Sequence, residues 1–259
     1  MKQDFAVISD PGLVRANNED AYLTMPEVGL FAVADGMGGH NAGEVASALA
    51  VKMLREDAAR LPVIGLKIRW WRRLFRRRPP AFDPVAFLHQ AVARANRAIF
   101  EAAQASPETK GMGTTVAAML RTDQAILTAH VGDSRIYRFR DGRLSQLTQD
   151  HSLAQELVRK GVLSPEEAMY SAPSNVLTRA LGVRPEVQEE IAYHSLEPGD
   201  LILLGSDGLS NMVEEDEMLQ ILARKGAPVR EKARNLIAAA LKGGGEDNVT
   251  AVVVQFADS

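Results

Sequence analysis

The sequence predicts an α+β fold in which two antiparallel β-sheets pack face to face and helices cover their outer sides. Its 259 residues are 46% hydrophobic and 24% charged, the balance of a globular chain with a sizeable core. Short apolar runs with strand character occur in successive groups, and paired helical patterns separate these groups. A doubly wound parallel sheet would instead alternate single strands with single helices.

The first part of the chain contains three predicted strands and two predicted helices. Short apolar runs predict strands over residues 5–9, 21–25 and 30–34. Apolar residues then recur at helical spacing over residues 45–53 and again over residues 85–99. A pair of helices therefore follows the first group of strands.

The middle of the chain contains a second group of strands. Apolar runs predict strands over residues 114–120, 125–131 and 135–140. Asp141 and Gly142 then form a hairpin turn signal, and we interpret this Asp-Gly pair as turn chemistry only.

The remaining elements follow a polar segment, residues 150–182, that has a helical pattern. Within it, Ser164 and Glu167 stand in the arrangement that starts a helix. After it we predict two strands, two helices and a closing strand, over residues 187–193, 201–206, 214–225, 228–241 and 248–256.

One segment, residues 62–80, differs in composition from the rest. It carries seven of the 30 basic residues, none of the 33 acidic residues and both tryptophans. As a helix it would place Ile64, Ile68 and Trp71 on one face and arginines on the other, which is typical of a helix at a membrane surface. Two interpretations stay open. Either an anionic membrane or an acidic partner binds the segment, or it is a solvated excursion whose apolar face lies on the protein.

Composition excludes several classes of function. The net charge of −3 does not indicate a nucleic-acid partner. The absence of cysteine excludes disulfides, thiolate metal sites and a cysteine nucleophile, and leaves hard cations held by oxygen. The N-terminal residues lack a signal-peptide pattern and no apolar run approaches the ~18 residues of a membrane helix, so we expect a cytoplasmic protein.

Several aspartates stand where predicted strands begin or end. Asp35 and Asp207 each follow an apolar strand and precede a glycine, and Asp133 follows a third apolar strand. Asp20 and Asp247 each precede a strand. Any one of them could be a cap or turn residue, but convergent carboxylates would raise one another's pKa unless cations lay between them. Together they predict a site for Mg²⁺ or Mn²⁺.

A pair of such cations would suit chemistry at phosphate. Two ions roughly 3.5–4 Å apart can share a bridging hydroxide and hold phosphoryl oxygens for in-line attack. Arg15, five residues before Asp20, could then bind the phosphate through two N–H groups, although without its acidic neighbours it would be an ordinary surface arginine. A nucleotide-binding enzyme is a weaker hypothesis, because the glycines after Asp35 do not form GxGxxG and the chain has no GxxxxGK[ST].

Seven motifs are similar, in sequence and in order, to those of the bacterial PPM (PP2C-type) protein serine/threonine phosphatases: GLVRANNEDAY, VADGMGGHNAGEVAS, GMGTT, HVGDSRIYRFRDGRLSQLTQDHS, NVLTRALG, LLGSDGLSNMV and EDNVTAVVV. The resemblance extends from about residue 4 to 256 and is interrupted mainly at residues 62–80. It implies a PP2C-like four-layer α-β-β-α sandwich, with two antiparallel sheets flanked by helix pairs. It also implies a single catalytic domain over residues 1–259, with residues 150–182 as a flap beside the active site.

The resemblance implies a metal-binding role for five residues. Asp35 would bridge two Mn²⁺ or Mg²⁺ ions. Asp207 and Asp247 would bind the first ion, and the Gly36 carbonyl would bind the second. Asp133 would join Asp207 at a third, weaker metal site.

Further residues around these ions are implied in the same way. Glu19 and Asp20 would hold metal-bound waters, and Arg15 would bind the substrate phosphate. Eukaryotic relatives have a histidine directly after the Asp-Gly pair, where this chain has Met37. His40 stands three residues further on, and it is either a proton donor to the leaving serine or threonine oxygen or a loop histidine that orients the following helix.

The function implied is hydrolysis of phosphoserine and phosphothreonine in proteins. The expected partners are phosphorylated proteins, including a Hanks-type serine/threonine kinase that the phosphatase opposes, and we expect a monomer. The alternative is a catalytically silent PPM-like module with a regulatory or binding role. Loss of a metal-binding acid would favour that alternative, yet all the matching positions are filled.

Overall fold

The structure is a computed structural model that describes residues 1–39, 42–61, 82–123, 125–164, 167–168 and 176–258. Two features that the sequence singles out, His40 and the basic segment 62–80, lie outside the described residues. The hypotheses about both therefore stay predictions.

The described strands and helices follow the predicted grouping. In chain order the strands are β1 Lys2–Asp10, β2 Asp20–Met25, β3 Leu30–Met37, β4 Gly113–Thr114, β5 Val116–Arg121, β6 Ala125–Val131, β7 Arg135–Arg140, β8 Arg143–Gln146, β9 Glu190–Ser195, β10 Leu201–Gly205 and β11 Val249–Ala257. The helices are α1 Ala42–Ala58, α2 Pro84–Ala105, α3 Leu153–Arg159, α4 Asp207–Ser210, α5 Glu215–Leu222 and α6 Val229–Lys242.

Two antiparallel sheets form the centre of the protein. Sheet A has the strand order β1-β11-β10-β7-β8, and sheet B has the order β2-β3-β5-β6-β9, with the short β4 paired to the end of β3. Helices α1 and α2 pack on the outer face of sheet B, and α4, α5 and α6 pack on the outer face of sheet A. This is the four-layer α+β sandwich that the sequence predicts.

Strand β3 shows why the central strands are apolar along their whole length. Leu30 and Ala32 face the helices, whereas Phe31 and Val33 face sheet A, because successive side chains of a strand point to opposite sides. All four residues are fully buried. Burial on both faces therefore produces a continuous apolar run instead of alternation.

The start of α2 is fixed by local chemistry. The Asp83 side chain accepts hydrogen bonds from the N–H groups of Val85 and Ala86, at 3.0 and 3.1 Å. Pro84 occupies the first turn, where its missing N–H costs nothing. Among the described helices, α2 is the longest at 22 residues, and none of them is both long and apolar enough to cross a membrane.

Strand β3 is longer than the sequence predicts. It continues beyond Ala34 through Asp35 to Met37. The extension forms because Gly36 and Met37 pair with the two residues of β4, Gly113–Thr114. Asp35 therefore lies inside a paired strand, and its main chain is held more firmly than in a loop.

The polar segment 150–182 is helical only in part. The predicted helix start is confirmed, since the Ser164 N–H donates to Glu167 Oε2 (2.8 Å) and the Glu167 N–H donates to Ser164 Oγ (3.1 Å). Beyond residue 176 the chain is not helical, and Leu177 forms a β-bridge with Ser152. The helical prediction is wrong for this end, because the chain there pairs with the other end of the same segment.

Candidate active site

Four aspartates lie close together between the two sheets. Asp20 opens β2 and stands opposite Asp35 of β3 in the antiparallel register. Asp207 follows β10 of sheet A, and Asp133 lies between β6 and β7, where the chain passes from one sheet to the other. Burial, with the charges of neighbouring acids, raises the pKa of all four carboxyl groups, to about 7 for Asp20 and for Asp133.

The carboxyl groups of Asp35 and Asp207 are hydrogen-bonded to each other. Burial, together with the charges of Asp207, Asp20 and Asp133, holds the pKa of Asp35 well above its ordinary range. Two carboxylates in this position cannot both ionise without compensating positive charge. The pair is therefore suited to a divalent cation.

Asp20 provides the observation that tests whether the site fits a cation. Its Oδ2 accepts hydrogen bonds from the hydroxyl groups of Ser206 and Thr250, each at 2.7 Å. Its Oδ1 is also buried but has no hydrogen-bond partner among the described residues. A buried carboxylate oxygen without a partner costs free energy, and oxygen is the ligand that hard cations prefer. The residues present therefore fit Mn²⁺ or Mg²⁺.

Two threonines hold the main chain of Asp35. Its N–H donates to Thr115 Oγ1 (3.0 Å), and its carbonyl accepts from the Thr115 N–H (2.9 Å) and the Thr114 hydroxyl (2.8 Å). Thr115 Oγ1 also lies 2.6 Å from the hydroxyl of Ser134, the residue after Asp133. Hydroxyl groups thus fix Asp35 relative to the turn that carries Asp133.

Gly36 stands where no side chain would fit. A Cβ atom there would overlap the Gly43 carbonyl and would lie 2.6 Å from the Glu19 carbonyl oxygen. The Gly36 N–H donates to that same Glu19 carbonyl at 3.1 Å. Glycine at position 36 therefore allows the main chain of Gly43, at the start of α1, and of Glu19, before β2, to approach the Asp-Gly pair closely. Burial also raises the pKa of the Glu19 carboxyl group, although the charge of Arg15 opposes this.

Arg15 lies at the mouth of the cluster. Its Nη2 donates to Asp247 Oδ2 at 2.7 Å, and 55% of its side chain is exposed. The hydrogen bond and charge of Asp247, helped by Glu19 and Asp207, raise the pKa of the guanidinium above its ordinary value. A permanently charged, partly exposed guanidinium beside buried acids is placed to bind a phosphate group.

Asn248 holds the loop that carries Arg15 in place through hydrogen bonds. Its Nδ2 donates to the carbonyls of Pro11 (2.9 Å) and Asn17 (2.8 Å), and its Oδ1 accepts from the Glu19 N–H (2.7 Å). The residue is buried, so water does not reach its amide group, and these three bonds take the place of the hydrogen bonds that water would make. All three partners of Asn248 are more than 200 residues away in the chain, so its role leaves no local pattern in the sequence.

Comparison with known proteins identifies the family. Residues 14–242 match the model of the family described as "Protein phosphatase 2C". The chain belongs to this family.

Curated members of the PP2C family include two close relatives. "Serine/threonine protein phosphatase PstP" of Mycobacterium tuberculosis is 40% identical over 98% of this chain, and this chain spans only 45% of that protein's length. "Serine/threonine phosphatase stp" of Listeria monocytogenes is 38% identical over 95% of this chain and 93% of that protein. The chain therefore matches nearly all of the Listeria protein and about half of the mycobacterial one.

Solved structures of PP2C-family proteins share this fold. The crystal structure of Mycobacterium tuberculosis PstP has a TM-score of 0.85 at 39% identity, over 99% of each chain. The S. agalactiae serine/threonine phosphatase has a TM-score of 0.86 at 34% identity, over 98% of this chain and 100% of the other. A structure of the PstP catalytic domain in complex with two manganese ions has a TM-score of 0.83. The predicted PP2C-like architecture is confirmed.

In this PP2C-family chain, an ion pair connects the predicted flap to the acidic cluster. Arg135, two residues after Asp133, donates from Nε and Nη2 to both carboxylate oxygens of Asp150 at 2.7 to 3.0 Å. Asp150 is the first residue of the predicted flap, and its charge contributes to the raised pKa of Asp133. The ion pair thus fixes Asp150 beside Asp133, the residue of the predicted third metal site.

A second group of potential ligands lies beside the flap. His130, His151 and Glu190 offer ligand atoms within 4.8 Å of one another. The Gly132 N–H donates to His151 Nδ1 (3.2 Å), and Arg179 Nη1 lies 3.3 Å from His151 Nε2. Burial, with the charges of His130 and Arg179, lowers the pKa of His151 to about 3. A metal-binding histidine ordinarily donates through its second nitrogen, so an imidazole that faces a donor at each nitrogen is poorly arranged for a cation.

The structure brings most of the sequence-predicted site residues together. Seven surround one point between the sheets: Arg15, Glu19, Asp20, Asp35, Gly36, Asp207 and Asp247. Asp133 lies beside them on the flap side, and His40 lies outside the described residues. Sequence reasoning missed the hydroxyl residues that hold the acids: Thr114, Thr115, Ser134, Ser206 and Thr250. Only Ser134 and Ser206 stand next to an acid in the sequence, and hydroxyl residues are too common at such places to single them out.

Proposed function

We propose that this chain is a metal-dependent phosphatase that hydrolyses phosphoserine and phosphothreonine in proteins. The observation that carries the proposal is the buried Asp20 oxygen that has no hydrogen-bond partner among the described residues, within a cluster of buried carboxyl groups whose pKa values are raised. Arg15 supplies a positive charge for phosphate at the mouth of this cluster. The names of the relatives, both serine/threonine phosphatases, support the substrate class.

Two Mn²⁺ or Mg²⁺ ions are the proposed cofactors. Asp35 would bridge them, with Asp207 and Asp247 binding one ion and the Gly36 carbonyl the other. Asp133 would share a third, weaker ion with Asp207. When bound, the ions would supply positive charge to the phosphoryl oxygens and lower the pKa of a water molecule.

The protein's other groups orient the substrate and the solvent. Arg15 binds the phosphate through its guanidinium, which the Asp247 contact holds in place. Glu19 and Asp20 would accept hydrogen bonds from water molecules held by the cations when these are bound. Ser206 and Thr250 keep the Asp20 carboxylate in one orientation, so that its free oxygen stays directed to the site.

His40 is proposed to donate a proton to the leaving serine or threonine oxygen. The proposal rests on its place five residues after Asp35 and on the general suitability of histidine as a proton donor near neutral pH. A His40→Ala variant should then slow hydrolysis of a phosphoserine peptide much more than that of p-nitrophenyl phosphate, whose leaving group needs no proton. Equal slowing of both substrates would contradict this role.

Substitution of the metal-binding acids tests the proposed function. Asp207→Asn and Asp247→Asn should each abolish Mn²⁺-dependent hydrolysis of p-nitrophenyl phosphate while the far-ultraviolet circular dichroism stays that of the parent. Asp141→Asn is the matched control, because Asp141 lies in a hairpin turn with φ +50°, which asparagine also adopts. Unchanged turnover in both site variants would refute the assignment, and a parent protein inert with every divalent metal would favour the silent regulatory module.

Phosphorylated proteins are the proposed partners, and a Hanks-type serine/threonine kinase is proposed among them. The bacterial relatives named as serine/threonine phosphatases support this choice. Quantitative phosphoproteomics of a deletion strain should show phosphoserine and phosphothreonine sites that rise, including sites on the kinase itself. An unchanged phosphoproteome would contradict the proposal.

We also propose that the protein acts in the cytoplasm as a monomeric catalytic domain over residues 1–259, with a flap at residues 150–182. Residues 62–80 would hold it at an anionic membrane or an acidic partner, since seven basic residues there accompany apolar residues that recur at helical spacing in the sequence. Deletion of this segment should reduce pelleting with anionic liposomes and leave turnover of p-nitrophenyl phosphate unchanged. Equal pelleting of the parent and of the variant that lacks residues 62–80 would contradict the membrane role.

A further inference from the structure

We propose that Leu13 and Val14 form a docking surface for the polypeptide that flanks the phosphorylated residue of a substrate, and that this surface favours an apolar residue there. The inference rests on the proposed phosphatase function and extends it to substrate selection. Its partner is an extended segment of a phosphoprotein.

The position of the pair relative to Arg15 is the first observation. Leu13 and Val14 directly precede Arg15, whose guanidinium is bonded to Asp247 at the mouth of the acidic cluster. When a phosphate lies at Arg15, the substrate residues next to the phosphorylated one must pass over the neighbouring surface. Leu13 and Val14 belong to that surface.

The exposure of the pair is the second observation. Val14 is 70% exposed and Leu13 is 69% exposed, the highest values among the large apolar residues that the structure describes as exposed. A single exposed apolar residue needs no explanation. Two adjacent ones beside a phosphate-binding arginine leave apolar area that a bound peptide would remove from water.

The rigidity of the loop is the third observation. The Gly12 N–H donates to Asp10 Oδ1 (2.9 Å), and the Leu13 N–H donates to the Gly245 carbonyl (2.7 Å). Gly12 has φ +79°, and a Cβ atom there would overlap the Asp247 carbonyl. The loop is therefore ordered before a substrate arrives, so binding loses little conformational entropy in it.

The surface next to the pair suits an extended peptide. Leu13 lies against Gly245, because a Cβ atom on that glycine would come within 2.9 Å of Leu13 Cγ. Gly244 precedes Gly245 in the chain. These two successive residues have no side chains, so only main chain lies between Leu13 and Glu246. A peptide backbone can approach a surface of this kind closely. A small phosphate ester has no flanking residues and would not reach it.

Two phosphothreonine peptides and one small ester test the proposal. The peptides are identical except that the two residues flanking phosphothreonine are leucine in one and serine in the other, and the ester is p-nitrophenyl phosphate. The enzymes are the parent, the double variant Leu13→Ala/Val14→Ala, and the control Val85→Ala, which alters a half-exposed valine at the start of α2. Each is assayed with Mn²⁺ for kcat/KM.

The parent should prefer the leucine peptide, and the double variant should lose about tenfold in kcat/KM on that peptide while it keeps its rate on the serine peptide. Val85→Ala should behave as the parent. The comparison of two enzymes with two peptides is a cycle that isolates the contact from any general loss of activity.

Three results would overturn the inference: no preference in the parent, an unchanged preference in the double variant, or the same loss in Val85→Ala. Failure of the phosphatase function itself would look different. In that case the parent would leave all three substrates intact, including p-nitrophenyl phosphate.

Discussion

The hydroxyl oxygens of Thr115 and Ser134 lie 2.6 Å apart and join the turn after Asp133 to the main chain of Asp35. Both side chains are buried, so no water competes for this contact. Thr115→Val keeps the shape and removes the hydroxyl, which leaves the Asp35 N–H without its acceptor. We expect Mn²⁺ affinity, measured by titration calorimetry, to fall by about 10–100-fold, as is usual for groups that hold a metal ligand.

The conservative variant separates positioning from packing. Thr115→Ser retains the hydroxyl and loses only a methyl group, so it should recover most of the Mn²⁺ affinity even if it is less stable than the parent. Ser134→Ala should weaken binding less than Thr115→Val, because the bond to the Asp35 N–H survives. Parent-like affinity in Thr115→Val would remove the role we assign to this pair.

Arg15 should contribute mainly to binding of the phosphate group. Arg15→Ala removes the charged donor at the mouth of the site, and a charge-assisted hydrogen bond is worth enough to raise KM for p-nitrophenyl phosphate by roughly tenfold to a hundredfold. Arg15→Lys should restore KM only in part, since an ammonium group cannot bind two phosphate oxygens in one plane as a guanidinium does. Arg97→Ala is the control, because the Arg97 side chain is 77% exposed on α2. A KM that does not change in Arg15→Ala would exclude the arginine from substrate binding.

The buried acids predict an unusual pH dependence of stability in the presence of a chelator. Burial raises the pKa of Asp20 and of Asp133 to about 7 in the folded state. Because the folded state then binds protons more tightly than the unfolded state, the stabilisation is complete below about pH 4 and is lost as the pH rises through about 7. The unfolding temperature in EDTA should therefore fall between about pH 5 and pH 8.

Two additional measurements check the origin of this slope. Asp20→Asn should make the unfolding temperature less dependent on pH, because the asparagine amide has no proton to lose in this range. Added Mn²⁺ should raise the unfolding temperature more at the alkaline end, where the carboxylates are free to bind it. An unfolding temperature in EDTA that rises with pH over this range would contradict the prediction.

Asn248 should stabilise the fold and also hold Arg15 in place. Asn248→Ala leaves the Glu19 N–H and two carbonyls without partners, which should lower the free energy of unfolding by about 3 kcal/mol. Asn96 is a matched control. It is buried in α2, and its amide donates to two carbonyls and accepts one N–H in the same way.

Urea unfolding and steady-state kinetics distinguish these two asparagines. Both alanine variants should lose similar stability, but only Asn248→Ala should raise KM for p-nitrophenyl phosphate, because only it releases the Arg15 loop. A raised KM in Asn96→Ala of the same size would attribute the effect to general destabilisation.

The fold could be predicted from sequence because burial on both faces leaves a clear pattern. The run from Leu30 to Ala34 is apolar throughout, and such runs mark the central strands directly. The acids were found for the same reason, since Asp35 and Asp207 interrupt otherwise apolar stretches. Residues 176–182 were misassigned because helical spacing in a polar segment is weak evidence, and a β-bridge decided the structure there.

Other features depend on partners that sequence spacing does not reveal. The end of β3 is paired because Gly36 meets Thr114, a residue 78 positions away in a strand of only two residues. The bonds from Ser206 and Thr250 to Asp20 likewise connect residues far apart in the chain. Hydroxyl side chains in strands are common, so only the three-dimensional arrangement distinguishes these two from ordinary strand residues.

The division of the acids between the sheets has a consequence for how the protein matures. Asp20 and Asp35 come from sheet B, whereas Asp207 and Asp247 flank strands of sheet A that are synthesised much later. A nascent chain that has completed only its first strands contains Asp20 and Asp35 but lacks Asp207 and Asp247, so it cannot form the complete cluster. The acidic cluster is therefore complete only when β11, the most C-terminal of the described strands, has taken its place between β1 and β10. The proposed phosphatase activity would therefore require both sheets to be assembled, and could not precede the pairing of β11.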